Sequence, residues 1–355
     1  MLTSENKAES LYMSIENSSQ KNAWKGIAAK YQKSNALKSI WQIANSFLPF
    51  IILLYFMYLS LSFNYGLTLL LALPTAGFVI RLFIIQHDCG HRSFFNSRKA
   101  NDATGFLLSV FTLTPYHYWK KSHSIHHASV GNLEHRGIGD IYTMTVKEYS
   151  QLSAWRKLKY RIYRNPFILF IVLPFFLFTI IYRFPSYVTK ELKPFHKSVY
   201  ITDLLIGLLA SGIIWMIGLQ AFLMILIPVY FISSTAGMWI FYVQHQFEDT
   251  YWNSSEEWDY TQAAIKGSSY YKLPKVLQWF TGNIGFHHIH HLSPKIPNYR
   301  LEKCHKENPE FRKAKVLTLR TSLRSLILNL WDEKRKRLIS FYRFKRLNHE
   351  MNFIP

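Results

Sequence analysis

The sequence contains two cysteines, Cys89 and Cys304, in 355 residues. With so few, no disulfide framework is indicated. A catalytic thiol at Cys89 is the weaker reading, because the residue sits inside a histidine cluster and reads as a small side chain packed there. No internal repeat and no low-complexity stretch is present. No secretory leader is expected: the first 38 residues are polar and of mixed charge, and they precede the first apolar run by too much. They are read as part of a cytosolic arm over 1–43, amphipathic between Trp24 and Trp41. Acidic residues are few, 21 against 42 Lys and Arg, for a formal net charge of +21. Such an excess could mark a nucleic-acid binder. Here the basic residues lie between and after long apolar runs, where the cytoplasmic loops of membrane proteins carry them. A nucleic-acid partner is therefore set aside, and a lipid bilayer is the expected surrounding.

The apolar runs set the fold class. Phe47 to Phe63 and Gly66 to Ile85 are separated only by Asn64 and Tyr65, which predicts a helical hairpin. Pro49 and Pro74 inside these runs are tolerated in a helix bundle. Arg81, near the end of the second run, is expected to snorkel to the interface rather than to pair with an acid. Ala103 to Tyr116 is too short to span and reads as an interfacial piece. Three further runs follow: Pro166–Tyr182, Ile201–Leu219 and Ala221–Val243. If the histidine clusters flanking them share one side of the membrane, an even number must cross between them. The last two form a second hairpin, which leaves 166–182 in-plane or re-entrant, with Pro174 permitting a break. The expectation is an all-α membrane protein with crossings near 47–63, 66–85, 201–219 and 221–243. A helical cap, both termini and the histidines lie on the cytosolic side of the cell membrane, with a main domain over 44–345 and a tail over 346–355. The small residues Ser233 to Gly237 read as close helix packing, with a narrow passage for a chain-like ligand as the sharper alternative.

Three histidine clusters stand where apolar runs meet polar loops: His87 with His91, His123-Ser124-Ile125-His126-His127, and His287-His288-Ile289-His290-His291. On a helix, positions i, i+3 and i+4 share a face, so each cluster can aim imidazoles at one point. His87, His91, His123, His126, His127, His287, His290 and His291 are too many ligands for one ion and imply two. His288 would point away from its neighbours and reads as an outer or surface residue. His245 ends the last apolar helix at the same depth and is a candidate ninth ligand. Metal-bound imidazoles usually pass their other N–H to an oxygen, and Asp88, Asp140, Glu248 and Asp249 are the nearby carboxylates. His117, His135, His196, His305 and His349 lack the spacing. Imidazole alone suits zinc, copper, iron or nickel. Zinc would favour hydrolysis, whereas attack on an unactivated C–H bond in a hydrocarbon chain calls for a redox metal, usually iron.

Three sequence stretches resemble the three histidine boxes of the integral-membrane fatty acid desaturases. They are the run from His87 to Phe95, the His-Ser-Ile-His-His box at 123–127, and Gly285-Phe286-His287-His288-Ile289-His290-His291. The similarity extends to 137–141, 164–167, 241–249 and 292–299, and it covers roughly residues 35 to 345. Within that family the chain most resembles the Δ5 acyl-lipid branch of bacilli. The resemblance implies a four-helix stem with a cytosolic cap and a non-haem centre of two iron ions. Its ligands are the eight box histidines, with His245 as the family's additional ligand. It implies insertion of a cis double bond into acyl chains of membrane phospholipid, using O2 and two electrons. The family's donors would be ferredoxin or flavodoxin, small acidic proteins that suit a basic face. The alternative is a fatty acid or lipid hydroxylase or ketolase on the same scaffold.

Overall fold

The computed structural model describes residues 24–185 and 189–352, with side chains through 347. Part of the arm expected over 1–43 and the last three residues of the tail expected over 346–355 lie outside these, as does the side chain of His349.

Asn35 and Asn64 each open a long helix with a side-chain cap. Asn35 Oδ1 accepts from Lys38 N at 2.9 Å and starts α1, Ala36–Ser60; Asn64 Oδ1 accepts from Gly66 N at 2.6 Å and starts α2, Tyr65–Gly90. The short turn between them makes the pair antiparallel. Arg98–Phe111 forms α3, fourteen residues capped by Ser97, which returns the chain to α4, Tyr116–Ser129. Downstream, α5 is Ala154–Tyr163, α6 is Leu173–Thr179, α7 is His196–Ile217 and α8 is Leu219–His245. Gly218 joins α7 to α8 at φ 81°, a backbone angle that favours glycine.

Among the described residues, four helical segments are long and apolar enough to cross a membrane: Ala36–Ser60, Tyr65–Gly90, Lys190–Ile217 and Leu219–His245. Only 6% of the apolar window in the third is buried inside the protein. Side chains such as Leu204, Leu208 and Trp215 therefore face outward, as in a helix whose solvent is lipid. Between α1, α2 and α8 the core is formed by Phe50, Met57, Leu82, Ile85 and Val229.

The segment expected in-plane over 166–182 is helical and bends by 51° from α5. The break falls at Asn165-Pro166, ahead of the Pro174 position expected from sequence. Asn165 Oδ1 accepts from Phe167 N at 2.9 Å and so starts a new helical segment, with Pro166 at a position that needs no donor. A π-turn over Ile168–Val172 then leads into α6, where Pro174 sits in the first turn. Arg81 also differs from expectation. It is buried rather than snorkelling, donating to Ser46 Oγ at 3.0 Å and to the Trp279 carbonyl, with its guanidinium 3.8 Å from the Trp279 ring centroid.

The cap contains α9, His287–Leu292, and α10, Asn298–Glu307. Among the described residues it also contains five short strands that an all-α reading omits: β1 Met144–Thr145, β2 Tyr270–Lys272, β3 Val316–Thr318, β4 Leu330–Asp332 and β5 Arg337–Ile339. β1 lies parallel to β4 (Met144 opposite Leu330), β4 antiparallel to β5, and β2 parallel to β3 (Tyr270 opposite Val316). Arg164 fastens cap to stem. Fully buried, it donates through Nη2 to Leu328 O at 2.7 Å, Tyr242 Oη at 2.9 Å and Gln246 Oε1 at 3.2 Å.

Candidate metal centre

His87 lies in the last turn of α2, and His245 is the last residue of α8. His91 caps the end of α2 with helical backbone angles (φ −79°, ψ −4°), so it stays on the face of His87. α4 and α9 cross beneath them. Each presents two imidazoles one turn apart and a third at i+3, so each faces two directions at once.

The nine expected histidines assemble into two groups. His87, His91, His123, His127 and His290 form one; His126, His245, His287 and His291 form the other. Within each group the ligand-capable atoms lie within 4.8 Å of one another. The Nε2 atoms approach most closely. In the first group His123–His127 is 3.1 Å and His127–His290 is 3.0 Å. In the second His126–His245 is 3.2 Å, His245–His287 2.9 Å and His287–His291 3.0 Å. Two nitrogens held 2.0–2.1 Å from one ion at right angles stand about 3.0 Å apart, so the donor spacing fits two first-row metal ions.

At His245 and His87 the ring orientation fits as well. His245 Nδ1 donates to the Gly267 carbonyl at 3.0 Å, and His87 Nδ1 lies 3.2 Å from Asp88 Oδ1. Both contacts fix the proton on Nδ1 and leave the Nε2 lone pair facing the group. Asp88 is itself held by Asn298, whose backbone N and Nδ2 donate to Oδ2 at 2.7 and 2.9 Å. His91 Nε2 is buried and has no hydrogen-bond partner. Burial first, and crowding by other imidazoles second, hold His91, His123, His126, His127, His287, His290 and His291 well below the ordinary value of 6.5. They are neutral at pH 7, the state that binds metal.

Of the four expected outer carboxylates, Asp88 alone makes a hydrogen bond to the clusters. Asp140 accepts from Gly137 N at 2.7 Å, and burial lifts its carboxyl to about 6. Glu248 pairs with Arg337 at 3.1 Å and Asp249 with Lys315 at 2.9 Å. The reason is local: the helix stops at Gln246 (φ −108°, ψ 79°), and the chain turns these two side chains toward the cap surface. His288 is buried rather than at the surface, packed against Tyr270 and His305. His117, His135, His196 and His305 belong to neither group. Two contributors escaped the sequence reading. The Gly267 carbonyl carries no side-chain signal. Trp119, which stacks on His123 at 4.6 Å and 15°, could have been found from its i−4 position on α4.

A cavity of about 500 Å³ reaches the centre, where His87, His123 and His287 close it. Val79, Phe83 and Ile84 of α2, Leu169 and Leu173 of the bent segment, and Phe241 and Ile240 of α8 form apolar walls. Along α8 it extends from Gln244 to Tyr230, about 21 Å at 1.5 Å per residue. Ser233, Ser234 and Gly237 line it, and a Cβ built on Gly237 meets no atom within 4 Å. At Gly237 α8 therefore faces a passage, while Ser233 and Ser234 line it and are themselves buried.

This arrangement pairs two imidazole groups able to hold metal with an apolar slot long enough for a hydrocarbon chain. The fatty acid desaturase family model matches residues 60–322. A fatty acid desaturase of Bacillus subtilis (strain 168) is 48% identical over 328 residues, 92% of each chain. The sn-1 oleoyl-lipid 12-desaturase of Synechocystis sp. is 26% identical over 234 residues, 64% of each chain. The sn-1 acyl-lipid omega-3 desaturase (ferredoxin) of Nostoc sp. (strain 36) is 28% identical over 235 residues, 63% of this chain and 62% of that one. With two imidazole groups at the closed end of an apolar cavity and these relatives beside it, the chain belongs to the fatty acid desaturase family of membrane oxidoreductases.

Proposed function

We propose that each imidazole group holds one iron ion and that the chain is an acyl-lipid desaturase of Δ5 type in the cell membrane. Both termini and the centre face the cytosol, and electrons come from ferredoxin or flavodoxin. The observation that carries this reading is the meeting of both groups with one cavity: His87 and His123 of the first and His287 of the second line the same wall. An acyl chain threaded along α8 would pass both. Bound iron, supplied with O2 and two electrons, provides the oxidising power that an unactivated C–H bond demands. The histidines stay neutral ligands throughout and need act as neither acid nor base. Phe83, Ile84 and Phe241 exclude water from the carbons that reach the centre. The charge excess of +21 favours a small acidic carrier, and the Nostoc relative's name specifies ferredoxin for that protein.

Expression in a host with saturated membrane lipids, followed by mass spectrometry of the extracted chains, tests the reading. A new double bond five carbons from the carboxyl end is expected; another position would overturn Δ5, and a hydroxyl group would favour a hydroxylase. His126→Ala and His290→Ala remove one member of each group and should each abolish product. Unsaturated lipid from either variant would refute the assignment.

A further inference from the structure

Beyond the cavity, the cap carries apolar side chains that nothing in the described structure covers. Trp155, Leu158 and Ile162 recur at i, i+3 and i+7 along α5 and are all exposed, so they form one face. Leu319, Leu323 and Ile327 are also exposed, Ile327 at 61%. Cations are set among them: Arg156, Lys159 and Arg161 on α5, and Arg320 and Arg324 beside the leucines. Among the described residues, neither Arg320 nor Arg324 enters an ion pair or a hydrogen bond.

Both segments are pinned at a defined depth. Tyr160 Oη donates to Asn329 O at 2.7 Å, and Arg164 Nη2 to Leu328 O at 2.7 Å, which ties α5 to the chain following Ile327. Tyr242 Oη donates to Ser325 O at 3.0 Å, and Tyr271 Oη, 3.3 Å from Ser322 Oγ, accepts from Trp239 Nε1 at 3.1 Å. Trp239 and Tyr242 lie about 9 and 5 Å short of the end of α8. A helix that crosses a bilayer passes there from acyl chain to headgroup. Leucine, isoleucine and tryptophan alternating with unpaired arginine is the composition of an element lying in that layer. A soluble acidic partner would match the charges and leave the apolar face unexplained.

We propose that α5 and residues 316–327 form a collar that lies in the headgroup layer on the histidine side and binds anionic phospholipid. The apolar side chains reach the acyl boundary, and Arg156, Arg320 and Arg324 meet lipid phosphates. The collar rests on the reading of the four long helices as membrane-crossing. Tyr163, the last residue of α5, and Leu169 also line the cavity, so the collar holds the cavity wall against the leaflet that supplies acyl chains.

The test uses the full chain in nanodiscs of phosphatidylcholine, with or without phosphatidylglycerol. Leu158→Cys, Leu323→Cys and, on α7, Leu208→Cys are each labelled with a fluorophore; Cys89 and Cys304 are buried and do not compete. At 158 and 323, headgroup-spin-labelled lipid should quench at least twofold more than aqueous iodide. Spin-labelled phosphatidylglycerol should quench them more than spin-labelled phosphatidylcholine, and Arg320→Gln with Arg324→Gln should remove that difference at 323. Iodide quenching at 158 and 323, with quenching at 208 by acyl-chain-spin-labelled lipid, overturns the collar and leaves the membrane reading intact. Absence of lipid quenching at all three overturns both. Shielding of 158 and 323 by added flavodoxin rather than by lipid assigns the surface to a soluble carrier and also overturns the proposal. Equal quenching by both phospholipids overturns the anionic preference.

Discussion

Replacing Asp88 by Asn should weaken metal binding in one imidazole group and spare the other. Three donors converge on this buried carboxylate: His87 Nδ1 at 3.2 Å, Asn298 N at 2.7 Å and Asn298 Nδ2 at 2.9 Å. An asparagine keeps the shape but offers one acceptor oxygen and a donor amino group, so at least one of the three donors must then face another donor. If the amide oxygen stays with Asn298, the proton on His87 Nδ1 loses its acceptor, and the tautomer that frees Nε2 is no longer enforced. Losing a charge-assisted bond costs about 1.5–3 kcal/mol. Partners of this kind are worth roughly 10- to 100-fold in metal affinity. In an iron titration followed by equilibrium dialysis, the step belonging to the five-histidine group should move by that factor. The four-histidine group, oriented by the Gly267 carbonyl, should not move. Glu248→Gln and Asp249→Asn are the controls, since exposed ion pairs contribute only about 0–1 kcal/mol and neither touches the clusters. The reasoning fails if Asp88→Asn titrates like the parent, or if Glu248→Gln shifts affinity equally.

Gly237→Leu should place a side chain in the open passage and cut desaturation at least tenfold, a binding loss of about 1.4 kcal/mol, while iron content stays at the parent value; undiminished product would show that chains do not use this route. Arg164→Lys keeps the buried charge but cannot span the acceptors at Leu328, Tyr242 and Gln246. It should lower stability on the order of 2 kcal/mol and the unfolding temperature by several degrees, and an unchanged melting curve would contradict the assigned role. Metal-free protein should lose stability as pH falls below 6.5, because the unfolded chain then takes up protons that the buried imidazoles refuse. Each such histidine contributes up to about 1.4 kcal/mol per pH unit below that value. Thermal melts with chelator at pH 7.5 and 5.5 check the sign, and a higher midpoint at pH 5.5 would refute it.

Where side chains repeat at helical spacing, the sequence was informative. His123, His126 and His127 and then His287, His290 and His291 occupy i, i+3 and i+4, and the fold places them on facing helices as that geometry requires. The first hairpin was equally readable, since two residues between apolar runs leave no other connection, although its turn falls at 61–64 and Tyr65 already belongs to α2. Adjacency misled at Glu248 and Asp249. They follow His245 by three and four residues, but α8 has ended by then, and helical spacing no longer applies. Small residues from Ser233 to Gly237 suit either tight packing or an opening. The decision lies with what stands opposite, the bent segment over 166–182, whose break sits at an Asn-Pro pair rather than at Pro174. Strands of two or three residues are too short to show a period, and the Gly267 carbonyl leaves no trace in a one-letter code.

Neither imidazole group belongs to a single part of the fold. α4 gives His123 and His127 to one and His126 to the other, while α9 gives His290 to the first and His287 and His291 to the second. A slip of α9 by one residue would therefore spoil both at once. Ions that bind only the assembled arrangement must stabilise it by their own binding free energy. With metal bound, stem and cap would meet across a joint riveted by ions, and the metal supply of the cell would become a term in the folding equilibrium of the whole chain.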